Sequence, residues 1–216
     1  SPWCHVLIGG KMIIAIDGPS ASGKGTLAKK LAEHYQLAYL DTGLLYRKVA
    51  FDVIEAGEDP SNIEAAEKAA LGLDMTDVDE SRLRTGEVAE AASIVAAEPR
   101  VRAAILQFQR KFAKNPQGAV LDGRDIASFV CPDADIKLFV SASAKTRAKR
   151  RFLELVAAGY SGTLEQIARE IEARDDRDST RKTAPLKQVE DAHLLDTSNL
   201  DIETAFRTAV EWIDSK

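Results

Sequence analysis

The first well-bounded apolar run of the chain is short and leads into a loop. Met12 to Ile16 is followed by Asp17-Gly18-Pro19, a pattern typical of a buried parallel strand. Apolar residues then recur at helical spacing from Thr26 to Tyr35, with charged residues between them, which predicts an amphipathic helix. Ala38-Tyr39-Leu40 predicts a second strand. A strand, a glycine-rich turn, a helix and a strand form a βαβ unit, which predicts a parallel sheet.

Three later apolar runs extend the predicted sheet. Ala119-Val120-Leu121 ends at an Asp-Gly pair, Ile136 to Val140 ends at a serine, and the weakest run is Leu194-Leu195. A final amphipathic segment, Ile202 to Ile213, predicts a helix that packs against the sheet. The order of these elements predicts a three-layer α/β fold with a central parallel sheet.

The region between the second and third strands has a helical pattern. Residues from about 42 to 114 follow this pattern, with interruptions near 57–61 and 76–85. We therefore expect a small helical insertion beside the sheet.

Two charged helical segments near residues 144–155 and 164–177 flank a turn at Gly159-Tyr160-Ser161-Gly162. They predict a short mobile lid over residues 144–182. We expect a single domain over residues 12–216, and we expect residues 1–11, which precede Met12, to be a tail foreign to the native protein.

Composition narrows the class of protein. The chain has 216 residues, of which 45% are hydrophobic, so it can bury a substantial core. A net charge of -5 argues against a general nucleic-acid binder, because such proteins usually carry a basic surplus. Cys4 and Cys131 lack the paired spacing of a zinc site or a disulfide framework, which fits a reducing cytoplasm. No apolar run approaches the roughly 20 residues that cross a bilayer.

The strongest motif lies between the first predicted strand and the first predicted helix. Gly18, Gly23 and Lys24 match the G-x-x-x-x-G-K spacing of a phosphate-binding loop. Its backbone N–H groups and the following helix N-terminus would face phosphate oxygens, and Lys24 would add a positive charge. A glycine-rich turn with an exposed lysine is the alternative, but it does not explain the order of strand, loop and helix. The expected ATP-binding residues are Gly18, Pro19, Ser20, Ala21, Ser22, Gly23, Lys24, Gly25 and Thr26.

The residue after Lys24 departs from the common motif. Gly25 stands where Ser or Thr usually supplies a hydroxyl near magnesium, and Thr26 comes one position later. This Gly-Lys-Gly-Thr ending is more similar to nucleoside monophosphate kinases than to GTPases, and no Asn-Lys-x-Asp guanine-reading sequence is present. The motif does not identify the magnesium ligands.

Two polar segments follow the second and third strands, at the same predicted sheet edge as the phosphate-binding loop. Thr42 is suited to capping the helix that starts there, and Arg47 is suited either to binding phosphate or to covering apolar surface. Arg124 and Asp125 offer a guanidinium and a carboxylate to phosphate and base edges, although their Asp-Gly neighbours are also common in ordinary turns.

Ser93 and Arg102 flank a helix junction at Pro99, and by pattern alone they indicate nothing more.

The segment Glu172 to Arg181 carries both charge signs densely. Its ordinary explanation is a solvated helix face with i,i+3 and i,i+4 ion pairs, which stabilise little. Phosphoryl transfer offers a second explanation, because arginines on a closing segment stabilise the migrating charge and exclude water. We favour the second, with a similar contribution from Arg147, Arg150 and Arg151 on the preceding helix.

Together these segments resemble bacterial cytidylate kinases, from about Met12 to the C-terminus. The matching segments, in the same order, are Gly18 to Thr26, Asp41 to Arg47, Ser93 to Arg102, Asp122 to Asp125 and Arg174 to Arg181. The resemblance implies transfer of the γ-phosphate of ATP, with Mg²⁺, to CMP or dCMP. Catalysis by positioning and electrostatics is then expected of Lys24, Arg124, Arg174 and Arg181.

The resemblance also implies roles on the acceptor side. Thr42, Arg47 and Arg124 would lie near the acceptor phosphate, and Ser93, Arg102 and Asp125 would read the cytosine edge. Arg174, Asp178 and Arg181 would reach the sugar and phosphates when the lid closes. A carboxylate at Asp125 would accept a hydrogen bond from the cytosine amine, whereas uracil has a carbonyl there and would leave the pair mismatched.

The chain differs from the family in two places. Only Asp74 to Gly86 stands where the family has a longer segment with extra strands, so the resemblance says less about domain closure and about the preference for CMP or dCMP. Thr42 replaces a serine but keeps the hydroxyl.

We expect a monomer that binds small nucleotides, with no nucleic-acid or membrane partner. The rivals are a kinase for another acceptor, such as UMP or shikimate, and a non-catalytic nucleotide-dependent switch.

Overall fold

The computed structural model describes residues 12–216, so the expected tail at residues 1–11 and Cys4 lie outside the described residues. A five-stranded sheet has the order β2-β3-β1-β4-β5, and every neighbouring pair is parallel. The strands are β1 (Ile13–Asp17), β2 (Ala38–Asp41), β3 (Ala119–Gly123), β4 (Ile136–Ser141) and β5 (His193–Asp196). All the strands predicted from the sequence are confirmed, and so is the α/β class with a central parallel sheet.

Helices flank this sheet and fill the long intervals between strands. They are α1 (Lys24–Tyr35), α2 (Thr42–Glu55), α3 (Ile63–Leu71), α4 (Glu80–Leu83), α5 (Gly86–Ala96), α6 (Pro99–Ala113), α7 (Ala144–Ala157), α8 (Leu164–Thr180) and α9 (Ile202–Asp214). A π-helical turn, Ile126–Val130, follows β3. The predicted helices are confirmed, whereas α4 and the π-helical turn were not predicted, since each is only one turn long.

Both faces of the sheet are covered by helices, so the fold has three layers. Successive side chains of a strand point to opposite faces, so Ile14 and Ile16 pack with α1 and α9 on one side. Ala15 packs on the other side with Leu121, the end of α6 and the π-helical turn. Continuous burial of β1 and β3 explains why these strands read as unbroken apolar runs.

Residues between β2 and β3 form a second core. Apolar faces of α2, α3, α5 and α6 meet around Leu45, Val49, Val95 and Ile105, all at most 1% exposed. The short segment between α3 and α5 is anchored by Leu83, which is also buried. α7 and α8 form a further small cluster through Ala148, Ile167 and Ile171.

The carboxyl ends of β1, β2 and β3 meet at one edge of the sheet, where parallel α/β folds bind ligands. The loop after β1 starts at Gly18, where a Cβ atom would collide with the carbonyl oxygen of Val140. Gly23 at the end of this loop has a φ of 89°, a left-handed conformation that favours glycine. No helix within residues 12–216 is long and apolar enough to span a bilayer.

Candidate functional site

The phosphate-binding loop joins β1 to α1 as the sequence predicted. Gly23 occupies the N-cap position of α1 and has no side chain to bond the first N–H groups of the helix. Those N–H groups can therefore donate hydrogen bonds to a ligand, and together with the helix dipole they favour binding of an anion.

Lys24 lies at the junction of this loop with the end of β3. Its Nζ atom is 4.0 Å from Asp122 Oδ1, and the Tyr39 hydroxyl donates a hydrogen bond to the other carboxylate oxygen, Oδ2. Burial and the nearby charge of Arg124 hold the pKa of Lys24 below its usual value. An anion beside the ammonium would offset both effects.

A pocket next to the loop brings together every residue that was expected to bind the acceptor. Residues from α2, α5, α6, the end of β3 and α8 line it, so segments far apart in sequence converge there. The predicted members are Thr42, Arg47, Ser93, Arg102, Arg124, Asp125, Arg174, Asp178 and Arg181, and Gly43, Tyr46, Ala92, Ala96 and Gly123 complete the lining. We call this space the acceptor pocket.

One side of the acceptor pocket is crowded with positive charge. Arg124 Nε donates to Asp178 Oδ2 at 2.6 Å, and Arg174 and Arg181 each have a nitrogen 3.9 Å from the same carboxylate. Repulsion by Arg124, together with burial, lowers the pKa of Arg174 to about 9. Among the described residues nothing accepts a hydrogen bond from the buried Nε atom of Arg174. A single carboxylate shared by three guanidinium groups leaves a surplus that suits a multiply charged anion.

The other end of the acceptor pocket carries a buried ion pair. Arg102 Nη2 donates to Asp125 Oδ2 at 2.7 Å, and both side chains are 5% exposed. Arg102 also donates to the carbonyl oxygen of Ala96, and its guanidinium lies 4.9 Å from the centre of the Tyr46 ring. These contacts fix the Asp125 carboxylate with one oxygen on Arg102, at a place where it can accept from a ligand.

The expectation that Thr42 caps the second helix is wrong. Asp41 is the N-cap of α2 and accepts from the N–H group of Gly43 at 2.9 Å, because the carboxylate one position earlier is already well placed to do so. The Thr42 hydroxyl instead donates to the carbonyl oxygen of Asp122 at 2.8 Å. Arg47 donates to the carbonyl oxygen of Leu83 at 2.9 Å, so the shortened segment orients it.

The arginines of α7 lie elsewhere. Arg147 makes two hydrogen bonds to Asp175, at 2.9 and 2.6 Å, and a longer one to the carbonyl oxygen of Ser20. Arg150 bonds to Thr197, and Arg151 lies on the surface beside Glu154. None of these three arginines lines the acceptor pocket within the described part of the chain. Arg147 instead ties α8 to the phosphate-binding loop.

A magnesium ion bound with ATP would share its oxygen ligands between the phosphates and the protein. Within residues 12–216 no three His, Cys, Asp or Glu side chains are grouped as a metal site. Magnesium is commonly held by one or two carboxylates together with substrate phosphates. Such an ion fits the buried carboxylate of Asp122, 4.0 Å from Lys24, and the loop hydroxyls of Ser20 and Ser22, which have no hydrogen-bond partner among residues 12–216.

Comparison with known proteins decides the family. The model of a family described as cytidylate kinase matches residues 14–215, which is nearly the whole chain. The chain belongs to the cytidylate kinase family. The resemblance noted from five short segments is thereby confirmed.

Known cytidylate kinases are similar in sequence to this chain over most of its length. A cytidylate kinase from Methylocella silvestris is 54% identical over 204 residues, which is 94% of each protein. One from Azorhizobium caulinodans is 54% identical over 203 residues, 94% of this chain and 98% of the relative. One from Rhodopseudomonas palustris strain BisB18 is 52% identical over 204 residues, 94% of this chain and 96% of the relative.

Solved structures with lower identity share the fold. An uncharacterized protein from Eubacterium ventriosum has a TM-score of 0.57 at 23% identity and covers 96% of this chain and 100% of its own. A sugar kinase from Janibacter sp. HTCC2649 has a TM-score of 0.50 at 14% identity and covers 95% of each chain. At these identities the likeness concerns the fold alone.

Several residues at this site were not selected from the sequence. Asp17 is 2% exposed, and its carboxylate binds backbone N–H groups after β3. Tyr46 lies one helical turn beyond Thr42, so its helical spacing placed it on the same face. Arg147 was selected from the sequence, but its partner Asp175 was not, because the two lie 28 positions apart and a sequence pattern carries no signal for that contact.

Proposed function

We propose that the chain transfers the γ-phosphoryl group of ATP to CMP and dCMP and so produces the corresponding diphosphates. The observation that carries the proposal is the acceptor pocket of a cytidylate kinase family member. It has surplus arginine at one end and a buried carboxylate at the other, and it lies beside the phosphate-binding loop.

On the donor side, the loop from Gly18 to Thr26 holds the phosphates of ATP through its N–H groups, and Lys24 neutralises them. Magnesium, when bound with ATP, neutralises charge on the phosphates and orients them for in-line transfer. The position of Lys24, 4.0 Å from Asp122, supports this assignment, because the lysine is held at the same sheet edge as the acceptor pocket.

On the acceptor side, Thr42, Arg47 and Arg124 hold the phosphate of the monophosphate. An oxygen of that phosphate attacks the γ-phosphorus, the bond to the β-phosphate oxygen breaks, and ADP leaves. Arg124, Arg174 and Arg181 stabilise the charge that spreads over the transferring group. Support comes from the three guanidinium groups that share the Asp178 carboxylate, because their mutual repulsion, which also lowers the pKa of Arg174, would be relieved by a phosphate.

Recognition of cytosine falls to Ser93, Arg102 and Asp125, and Asp178 contacts the sugar. The carboxylate of Asp125 accepts from the exocyclic amine, which uracil lacks. Its support is the buried ion pair with Arg102, which holds the carboxylate at this end of the acceptor pocket with little freedom to turn away.

The proposal includes a division of labour within one domain over residues 12–216. Residues 42–114 form the acceptor-binding insertion and residues 144–182 form the lid, which delivers Arg174, Asp178 and Arg181. We propose a monomer, with the acceptor pocket lined by residues of the described part of this chain. A cytoplasmic location fits a protein with only two cysteines.

A substrate panel tests the proposal. ADP formation is measured with Mg-ATP and each of CMP, dCMP, UMP, AMP and shikimate, and we expect acceleration with CMP and dCMP. Equal or faster turnover with UMP or shikimate would assign another acceptor. Slow hydrolysis of ATP that no acceptor accelerates would indicate a nucleotide-dependent switch and would refute the proposal.

A further inference from the structure

A buried aspartate at the end of β1 holds the turn that follows β3. Asp17 is the last residue of β1, and its side chain is almost completely enclosed. Oδ1 accepts from the N–H group of Ile126 at 2.8 Å and Oδ2 accepts from that of Ala127 at 2.9 Å. These two N–H groups open the π-helical turn, so Asp17 satisfies groups that a helical turn itself leaves without partners.

The residue that would normally bind such N–H groups does not do so. Asp125 occupies the N-cap position of the turn, and aspartate is among the strongest capping residues. Its side chain makes no capping hydrogen bond, and its φ of -133° and ψ of 24° are not the extended angles of an ordinary N-cap. The carboxylate instead points to Arg102, at 2.7 Å.

We propose that Asp17 is a positioning residue for acceptor selection: it caps the turn in place of Asp125 and thereby leaves the Asp125 carboxylate free to face the acceptor pocket. This inference rests on the proposed function for its kinetic consequences, but its structural content does not. Asp17 is assigned no contact with either nucleotide.

The location of Asp17 also joins the two halves of the site. Asp17 directly precedes the phosphate-binding loop, while Ile126 directly follows Asp125. The backbone makes a second link nearby, since the N–H group of Gly18 donates to the carbonyl oxygen of Gly123 at 3.3 Å. The Asp17 carboxylate therefore links the end of β1 to the turn that follows the residue proposed to read the base.

Asp17 must be ionised to accept both hydrogen bonds from the turn. Burial raises the pKa of Asp17 to about 7, against the lowering effect of the two N–H groups and of Lys24; the charge of Asp125 raises it further. Protonation would remove one of the two acceptors. Experiments on this contact therefore belong at pH 8 or above, where the carboxylate is ionised.

The first test uses amide hydrogen exchange and needs no enzyme activity. In Asp125→Ala combined with Arg102→Leu, which avoids leaving a buried charge unpaired, the amides of Ile126 and Ala127 should exchange as slowly as in the wild type. In Asp17→Asn the same two amides should exchange about tenfold faster or more, because an amide side chain offers one acceptor where the carboxylate offers two. Faster exchange in the first variant would show that Asp125 is the cap and would overturn the inference.

The second test is kinetic and has a matched control, an aspartate that also bonds to a backbone N–H group but at the other end of β1. Asp135 accepts from the N–H group of Ile13 at the opposite end of β1, so Asp135→Asn perturbs the same strand away from the site. At pH 8, Asp17→Asn should raise KM for CMP about tenfold and reduce the preference for CMP over UMP, while KM for ATP stays within about twofold. Asp135→Asn should change neither KM nor preference.

A double-mutant cycle decides whether Asp17 acts through Asp125. In the Asp125→Ala, Arg102→Leu background, adding Asp17→Asn should cause no further loss of selectivity, since coupled residues are not additive. An equal loss in both backgrounds would overturn the inference. If the wild type fails to phosphorylate CMP or dCMP, the proposed function is refuted on its own, and hydrogen exchange still decides whether Asp17 or Asp125 caps the turn.

Discussion

Asp125→Asn should convert the base-reading end of the acceptor pocket from cytosine towards uracil. Arg102 carries only hydrogen-bond donors and is fixed by Ala96 and the Tyr46 ring. An asparagine at position 125 has a single oxygen, so that oxygen must turn to Arg102, which the carboxylate now meets at 2.7 Å. The amide NH₂ group is then left facing the base. It can donate to the carbonyl of uracil but opposes the amine of cytosine.

The magnitude follows from the two hydrogen bonds that change. A bond to a charged acceptor contributes about 1.5 to 3 kcal/mol, so losing it lowers kcat/KM for CMP about 10-fold to 100-fold. A new neutral bond of about 1 kcal/mol raises kcat/KM for UMP about fivefold. The ratio of the two should therefore fall by about two orders of magnitude.

Steady-state kinetics with each nucleotide at saturating Mg-ATP measures this ratio. Asp178→Asn is the matched control, because it makes the same chemical change in the same pocket beside Arg124, 2.6 Å from the carboxylate. It should lower kcat/KM for both nucleotides and leave their ratio unchanged. A ratio in Asp125→Asn that stays within about threefold of the wild type would refute the reasoning.

Two further predictions concern phosphate. Lys24→Ala should reduce kcat at least about 100-fold, the usual cost of removing one electrostatic stabiliser of a transition state, with the fold retained by circular dichroism; near-normal turnover would remove Lys24 from the mechanism. CMP at 100 times its Kd should stabilise the fold by about 2.7 kcal/mol and raise Tm by about 5 to 10 °C, whereas cytidine at the same concentration should raise Tm by less than about 2 °C if the arginine cluster supplies most of the binding energy. Equal shifts with CMP and cytidine would show that the arginines do not bind the phosphate.

Most of the fold was predictable because its signals are local. The strands of a doubly covered parallel sheet are unbroken apolar runs, as in Ile14, Ala15 and Ile16, and the chain marks their ends with Asp and Gly. The π-helical turn gave no such signal, since it is only one turn long and its first N–H groups bond to Asp17, a carboxylate far away in the sequence.

The candidate site was predictable only in part, for the same reason. Strand ends share one edge of a parallel sheet, so Thr42, Arg124 and Lys24 could be placed near one another without knowing any contact. Partners could not be assigned. Arg102 and Asp125 are 23 positions apart and Arg124 and Asp178 are 54 apart, so these pairs became visible only in three dimensions.

The charged run on α8 fits both explanations that the sequence left open, a solvated helix face and a cluster of arginines for phosphate. Ile171, Arg174, Asp178 and Arg181 recur at helical spacing and face inward, whereas Asp176, Arg177 and Ser179 are exposed as a solvated face would be. Within the inward face, Asp178 supplies one negative charge to Arg124, Arg174 and Arg181. A phosphate carries up to two charges and more acceptors, so it compensates the cluster better than Asp178 alone. Phosphate should therefore dominate affinity while Asp125 sets selectivity, which is why the thermal-shift and base-ratio experiments report on separate ends of one pocket.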